Sequence, residues 1–148
     1  MGYKLVDINE YIMTRDLYFK NEDTQTIDKC FDDYFYDLNL EIDTSYQCKI
    51  KLFGNIVQSN QKESIYRRIS KCFSKDNSEK KIIICEIIDT EKIGIYDFYK
   101  VKNNEDIYYI LVDDVKVENV NLGDKILFDW SRKDVIQINE MIDGFYLF

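Results

Sequence analysis

The chain has 148 residues and contains no alanine, no proline and no histidine. Without alanine the strongest helix former is missing, while Ile, Val, Tyr and Phe are abundant and favour strands. Without histidine there is no side chain whose unperturbed pKa lies between about 5 and 8. Histidine-based triads, imidazole-ligated zinc sites and simple histidine pH switches are therefore excluded. Any proton transfer would fall to carboxylates, tyrosine, lysine or cysteine with shifted pKa values.

Other absences narrow the field further. The cysteines Cys30, Cys48, Cys72 and Cys85 form no C-x-x-C pair, so neither a zinc ribbon nor a thioredoxin-like motif is present. The five glycines are isolated from one another, so no Gly-rich phosphate loop exists. The opening residues MGYKLVDINE lack the apolar stretch of a signal peptide, and no run approaches the ~20 apolar residues of a membrane helix. These features predict a reduced, cytoplasmic protein whose thiols pack as small hydrophobes, with no membrane association, metal or cofactor.

What is present is strongly segmented by charge. Residues 1–43 hold eleven acids and four bases (−7), residues 44–82 three acids and nine bases (+6), and residues 83–148 fourteen acids and seven bases (−7). The total is −8. Two outcomes follow: the basic middle is neutralised by its acidic flanks, or it forms a local cationic face.

Length predicts one globular domain over residues 1–148. Hydrophobic period predicts a mainly β, α+β protein: an antiparallel, strongly bent sheet or small OB-like barrel with one to three short helices. YKLV and DLYF fit short strands, although Asp7 and Glu10 also resemble a capping box for a helix over 8–19. Ile27, Cys30, Phe31 and Tyr34 have helical spacing, with Asp28, Asp32 and Asp33 facing away.

From Tyr34 the period changes. YFYDLNLEID and CKIKLFGNIV alternate and predict a hairpin pairing Leu40 with Ile50, Leu38 with Leu52, and Glu41 with Lys49. The intervening row Asp37, Asn39, Glu41, Asp43 then reads as a solvated strand face rather than a calcium loop, because Ile42 occupies the required glycine position. The adjacent pairs Asp32–Asp33 and Asp113–Asp114 read as turn or surface acids. KKIIICEIID predicts a strand covered on both sides; IGIYDFYKV and DIYYILV predict a hairpin about KNNE; VKVEN predicts a short strand. In KILFDW, Ile126, Phe128 and Trp130 share one face after a turn at Gly123, so the only tryptophan is expected in the core. The tail, from Ser131, suits a helix over 135–143 ended by Gly144 slightly better than a strand VIQIN.

The candidate site comes from NQKESIYRRISKCFSK. As a helix it would set Ile65, Tyr66, Ile69, Cys72 and Phe73 on one face and Arg67, Arg68, Lys71 and Lys75 on the other. Tyr66, Arg67, Arg68, Lys71 and Lys75 are thus the candidate binding residues; no catalytic or metal-ligating set is identified. A small barrel with interleaved aromatics and cations resembles the OB-fold in general plan, which would imply single-stranded nucleic-acid binding. A pI near 4.6 is the wrong electrostatic footprint for a phosphate backbone. The leading expectation is a non-enzymatic domain whose acidic surface binds a basic protein partner, with the OB-like nucleic-acid module as alternative and a small-molecule binder or carboxylate-based enzyme third.

Overall fold

The computed structural model describes residues 2–59, 81–115 and 120–148. Nine strands belong to one sheet: β1 (Gly2–Glu10), β2 (Arg15–Asn21), β3 (Ile27–Asp32), β4 (Ser45–Ser59), β5 (Ile82–Ile93), β6 (Tyr96–Asn103), β7 (Asp106–Leu111), β8 (Lys125–Ile138) and β9 (Met141–Ile142). The protein is mainly β, as its Ile- and Tyr-rich composition predicts. Among the described residues the helical turns are short 3₁₀ segments, at Phe35–Asp37, Val112–Asp114 and Gly144–Tyr146.

The sheet is strongly bent and closes on itself. β1, β2 and β3 form an antiparallel meander. β3 touches β8 in parallel at Phe31↔Asp134, β8 runs antiparallel to β4, and β4 returns to β1. This is an OB-like ring order, into which the meander β5–β6–β7 is inserted between β4 and β8. A second parallel contact, Lys51↔Tyr109, ties β7 to β4, so the sheet is mixed rather than purely antiparallel.

The bend is concentrated in the long pair β4–β8, whose register shifts three times. One shift lies at Phe53/Gly54, where a Cβ on Gly54 would sit 2.0 Å from the Asp129 carbonyl oxygen and 2.8 Å from Trp130 Cα. Only glycine lets the two backbones approach this closely. A bulge that increases local twist is the usual device for turning a flat sheet into a closed one.

Alternate residues feed two cores. The larger, inside the ring, holds Leu5, Leu17, Phe19, Cys30, Ile50, Leu52, Ile110, Phe128, Trp130 and Val135. The smaller holds Ile93, Phe98, Tyr109, Leu111, Ile136 and Tyr146. β7 and the end of β8 serve both, Tyr108 and Val135 facing the ring while Tyr109 and Ile136 face the second core. Trp130 is buried, as its alternation with Ile126 and Phe128 predicts.

Several local expectations are corrected. Residues 27–32 are the strand β3, not a helix; Asp28 and Asp32 alternate inward with Cys30, and both are buried. Residues 34–43 are a 3₁₀ turn and loop instead of a hairpin arm, so Ile50 pairs with Val135 and Leu52 with Lys133. Leu38 and Leu40 still pack against the ring core, which explains their strand-like alternation. The acidic row Asp37, Asn39, Glu41, Asp43 is exposed, but on that loop. Residues 8–19 are β1, its turn and β2. Residues 135–138 extend β8, and Asn139, with φ of 53°, turns the chain so that Ile138 pairs with Met141. The preference for a C-terminal helix fails because the second core covers Ile136, giving β8 two buried faces and hence no strict alternation. β5 is less enclosed than its sequence suggests, since Ile88 is exposed while Cys85 and Ile87 are buried. The expected strand VKVEN overlaps residues outside the described set.

Candidate functional site

The candidate residues Tyr66, Arg67, Arg68, Lys71 and Lys75, with Cys72, lie outside the described residues. Charge in the described parts sorts into three environments. The first is inside the ring. Asp28, only 1% exposed, receives Lys133 Nζ at 2.6 Å and the Tyr108 hydroxyl at 2.9 Å. The Lys133 ammonium also lies 4.4 Å from the Trp130 ring centre, with Lys81 Nζ 4.0 Å from the same ring. Burial, reinforced by Asp28, pushes the Tyr108 hydroxyl far above its ordinary range, so it remains a proton donor. This trio links β3, β7 and β8, and its groups satisfy each other.

A second buried pair holds the loop after β3. Arg15 Nε contacts Asp32 Oδ2 at 2.8 Å, and its guanidinium donates to the carbonyls of Phe35 and Leu38. Asp32 Oδ1 accepts from the backbone N–H groups of Tyr34 at 3.1 Å and Phe35 at 2.7 Å. Of the predicted surface pair Asp32–Asp33, only Asp33 is at the surface. A third arrangement crosses β4: Lys49 meets Glu91 at 3.0 Å and Lys51 meets Asp114 at 3.2 Å. Lys51 is 4% exposed and lies 5.2 and 5.6 Å from the Phe53 and Tyr146 ring centres. These two bases of the cationic middle segment are thus matched by acids of the C-terminal flank.

The outcome is a sharp partition. Among the described residues the exposed bases are four, Lys29, Lys81, Lys92 and Arg132, whereas fourteen acids are exposed. Arg15, Lys49, Lys51 and Lys133 are drawn into ion pairs, while most of the described carboxylates stay at the surface.

One part of the surface combines several carboxylates with exposed rings. Arg132 on β8 grips Asp134 through two hydrogen bonds, of 2.6 and 3.1 Å, with Phe31 and Phe53 ring centres 4.7 and 5.4 Å from its guanidinium carbon. Burial raises the Asp134 carboxyl above its ordinary value; Arg132 and Lys51 oppose the shift and Asp33 adds to it. Asp143 is raised for the same first reason, and Asp33, Asp32 and Asp134 add like-charge repulsion. Its carboxylate accepts from Phe145 N at 2.9 Å and so caps the last 3₁₀ turn. The Tyr34 ring lies directly over Gly144, where an added Cβ would be 2.8 Å from it. Next in the chain, Phe145 is 70% exposed. From sequence, Asp134 is read with Ser131 as a capping box for the C-terminal helix, and neither Asp143 nor Phe145 is singled out. The available signal was the run GFYLF, four apolar residues around no polar partner, read instead as the end of a helix.

Concavities offer less. A pocket of about 560 Å³ is lined by Asp23, Thr24, Thr26, Asn104, Glu105 and Asp106. Its Asp106 is occupied by Asn21 Nδ2 at 3.2 Å, Thr26 Oγ1 at 2.8 Å and the Thr24 hydroxyl. A smaller one of about 240 Å³ includes Tyr3, Cys48, Lys100 and Tyr109, but burial pushes the Cys48 thiol up to about 12, far from a reactive thiolate. Cys30, Cys48 and Cys85 are buried and unpaired, as their expected role as small hydrophobes requires. Among the described residues, no group of three or more acidic or thiol side chains is placed to hold a metal ion, and no helix is long and apolar enough to cross a membrane.

The described residues define a mainly β domain. No protein-family model matches the chain, and no curated protein matches its sequence.

Proposed function

We propose that the protein is a non-enzymatic interaction domain whose acidic surface binds a basic protein partner. The distribution of charge among the described residues supports this reading: fourteen carboxylates but four bases are exposed, and Arg15, Lys51 and Lys133 are held in buried or half-buried ion pairs. A surface potential of one sign steers an oppositely charged partner and raises its association rate, more than it raises affinity. Binding of this kind weakens as salt shortens the ~10 Å screening length found at 0.1 M. Immobilised protein exposed to lysate of its own cells at ~50 mM salt should retain a basic protein that elutes as salt rises. Retention of no basic protein under those conditions would sink the proposal.

A second reading has a specific observation behind it. The ring has an OB-like strand order, and its outer face carries Tyr18, Lys20, Lys29, Phe31 and Arg132 opposite the core residues Leu17, Phe19 and Cys30. Aromatics interleaved with cations on strands are a stacking platform for single-stranded nucleic acid. Asp16 tempers this face, lying 3.8 Å from Lys29. Fluorescence polarisation with labelled single strands at ~50 mM salt separates the two readings, since phosphate affinity is greatest at low salt. No change in polarisation removes the nucleic-acid reading.

A further inference from the structure

Exposed aromatic and aliphatic residues lie near the carboxylates of Asp33, Asp134 and Asp143. Tyr34, Tyr36 and Phe145 are 43%, 39% and 70% exposed, and Leu147 and Ile95 extend the patch beside them. Two contacts bring its segments together: Gly144 abuts the Tyr34 ring, and Ile95 N donates to the Tyr146 carbonyl at 2.9 Å. At roughly 200 Å² per aromatic side chain, the three rings alone leave about 300 Å² in water. That already matches the largest apolar patch on many monomers, and such patches rimmed by polar groups mark interaction sites.

The rim decides the occupant. Exposed Asp33 and Asp37 flank Tyr34 and Tyr36 in the chain; Asp33 acts on Asp143, and the exposed Arg132 is the cation on this side, held by Asp134. A second copy would bring the same carboxylates against themselves, in a protein of net charge −8. A phosphate-bearing lipid surface or nucleic acid meets the same repulsion. A cationic segment with apolar side chains satisfies both features, placing its apolar groups on the rings and its ammonium or guanidinium groups over Asp33 and Asp37.

We propose that Tyr34, Tyr36 and Phe145, with Asp33 and Asp37, form the docking surface for a cationic, amphipathic segment of a protein partner. This rests on the acidic-domain reading above and adds to it the location of the contact and the need for apolar anchors.

Two fluorescent 18-residue peptides of equal charge test it, one of lysine and leucine in amphipathic order, the other with serine replacing every leucine. The lysine–leucine peptide should bind the whole protein at least tenfold tighter than the lysine–serine peptide. The double variant Tyr36→Ser/Phe145→Ser should abolish that preference while remaining cooperatively folded in urea titration, its midpoint lowered at most by the loss of the Phe145–Tyr146 ring contact. Asp33→Asn/Asp37→Asn, which removes no packing, should weaken both peptides and steepen neither salt dependence. Equal binding of the two peptides, or a preference that survives the ring substitutions, overturns the docking surface while leaving the acidic-domain reading standing. Failure of both peptides to bind at ~50 mM salt overturns the acidic-domain reading itself. Concentration-dependent dimerisation abolished by Phe145→Ser, or adsorption to vesicles of phosphatidylserine, also overturns the assignment, because the patch would then serve a second copy or a membrane.

Discussion

Asp28 and Asp143 are both buried carboxylates packed about β8, yet their surroundings are opposite. Asp28 has an ammonium 2.6 Å away and a tyrosine hydroxyl donating to it. Asp143 has one backbone N–H and three neighbouring aspartates acting on it. The first arrangement closes on itself inside the ring and ties three strands. The second gathers like charge around one carboxyl beside exposed rings. Matched charge belongs to architecture; unmatched charge at the surface is what a partner can use.

The comparison breaks most visibly at Asp28. Removing one member of a buried ion pair leaves the other desolvated and alone, at a cost of about 3–5 kcal/mol. Asp28→Ala should therefore lower unfolding free energy by that order in urea titrations, whereas Asp28→Leu with Lys133→Met should recover much of the loss. A single substitution costing under ~1 kcal/mol would show the trio to be dispensable, erasing the contrast with Asp143. Next in size is Gly54→Ala, where the added methyl group meets the Asp129 backbone at 2.0 Å. Overpacking of this kind costs roughly 1–3 kcal/mol, read as a shift of the urea midpoint. An unshifted midpoint would mean that β4 and β8 separate easily there, and that the bend does not depend on close backbone approach.

Much of the sheet was legible in the sequence because period 2 survives wherever one face is buried. The hairpin β6–β7, the strand containing Trp130 and the strand after residue 45 are all where alternation puts them. The failures share a physical cause: partners supplied from far along the chain. Asp28 and Asp32 look like surface residues until Lys133 and Arg15 arrive to neutralise them, so β3 passed for the polar side of a helix. Leu38 and Leu40 imitate a strand because a loop pinned by Arg15 lays them on the core. Ile136 faces a second core that no local pattern announces. As for the candidate site, net charge is visible in composition alone, but the approach of Tyr34 to Gly144 and of Asp33 to Asp143 is arranged only by the fold.

The smallest expected effect sharpens the other side of the comparison. Burial and the neighbouring carboxylates raise the Asp143 carboxyl above its ordinary 3.8, with the Phe145 N–H opposing. A carboxyl whose folded pKa exceeds its unfolded value binds its proton more tightly when folded. Stability from this group is therefore greatest at acid pH and declines as pH rises from 3.8 through the raised value, with a constant penalty above it. Asp143→Asn keeps an oxygen to accept from Phe145 N and carries no charge. The variant should be more stable than the parent at pH 7, within about 1 kcal/mol. Its advantage should shrink as pH falls through the raised value and the parent carboxyl protonates, as paired urea titrations would show. An advantage independent of pH would mean that neither burial nor the neighbouring Asp33, Asp32 and Asp134 shifts this group.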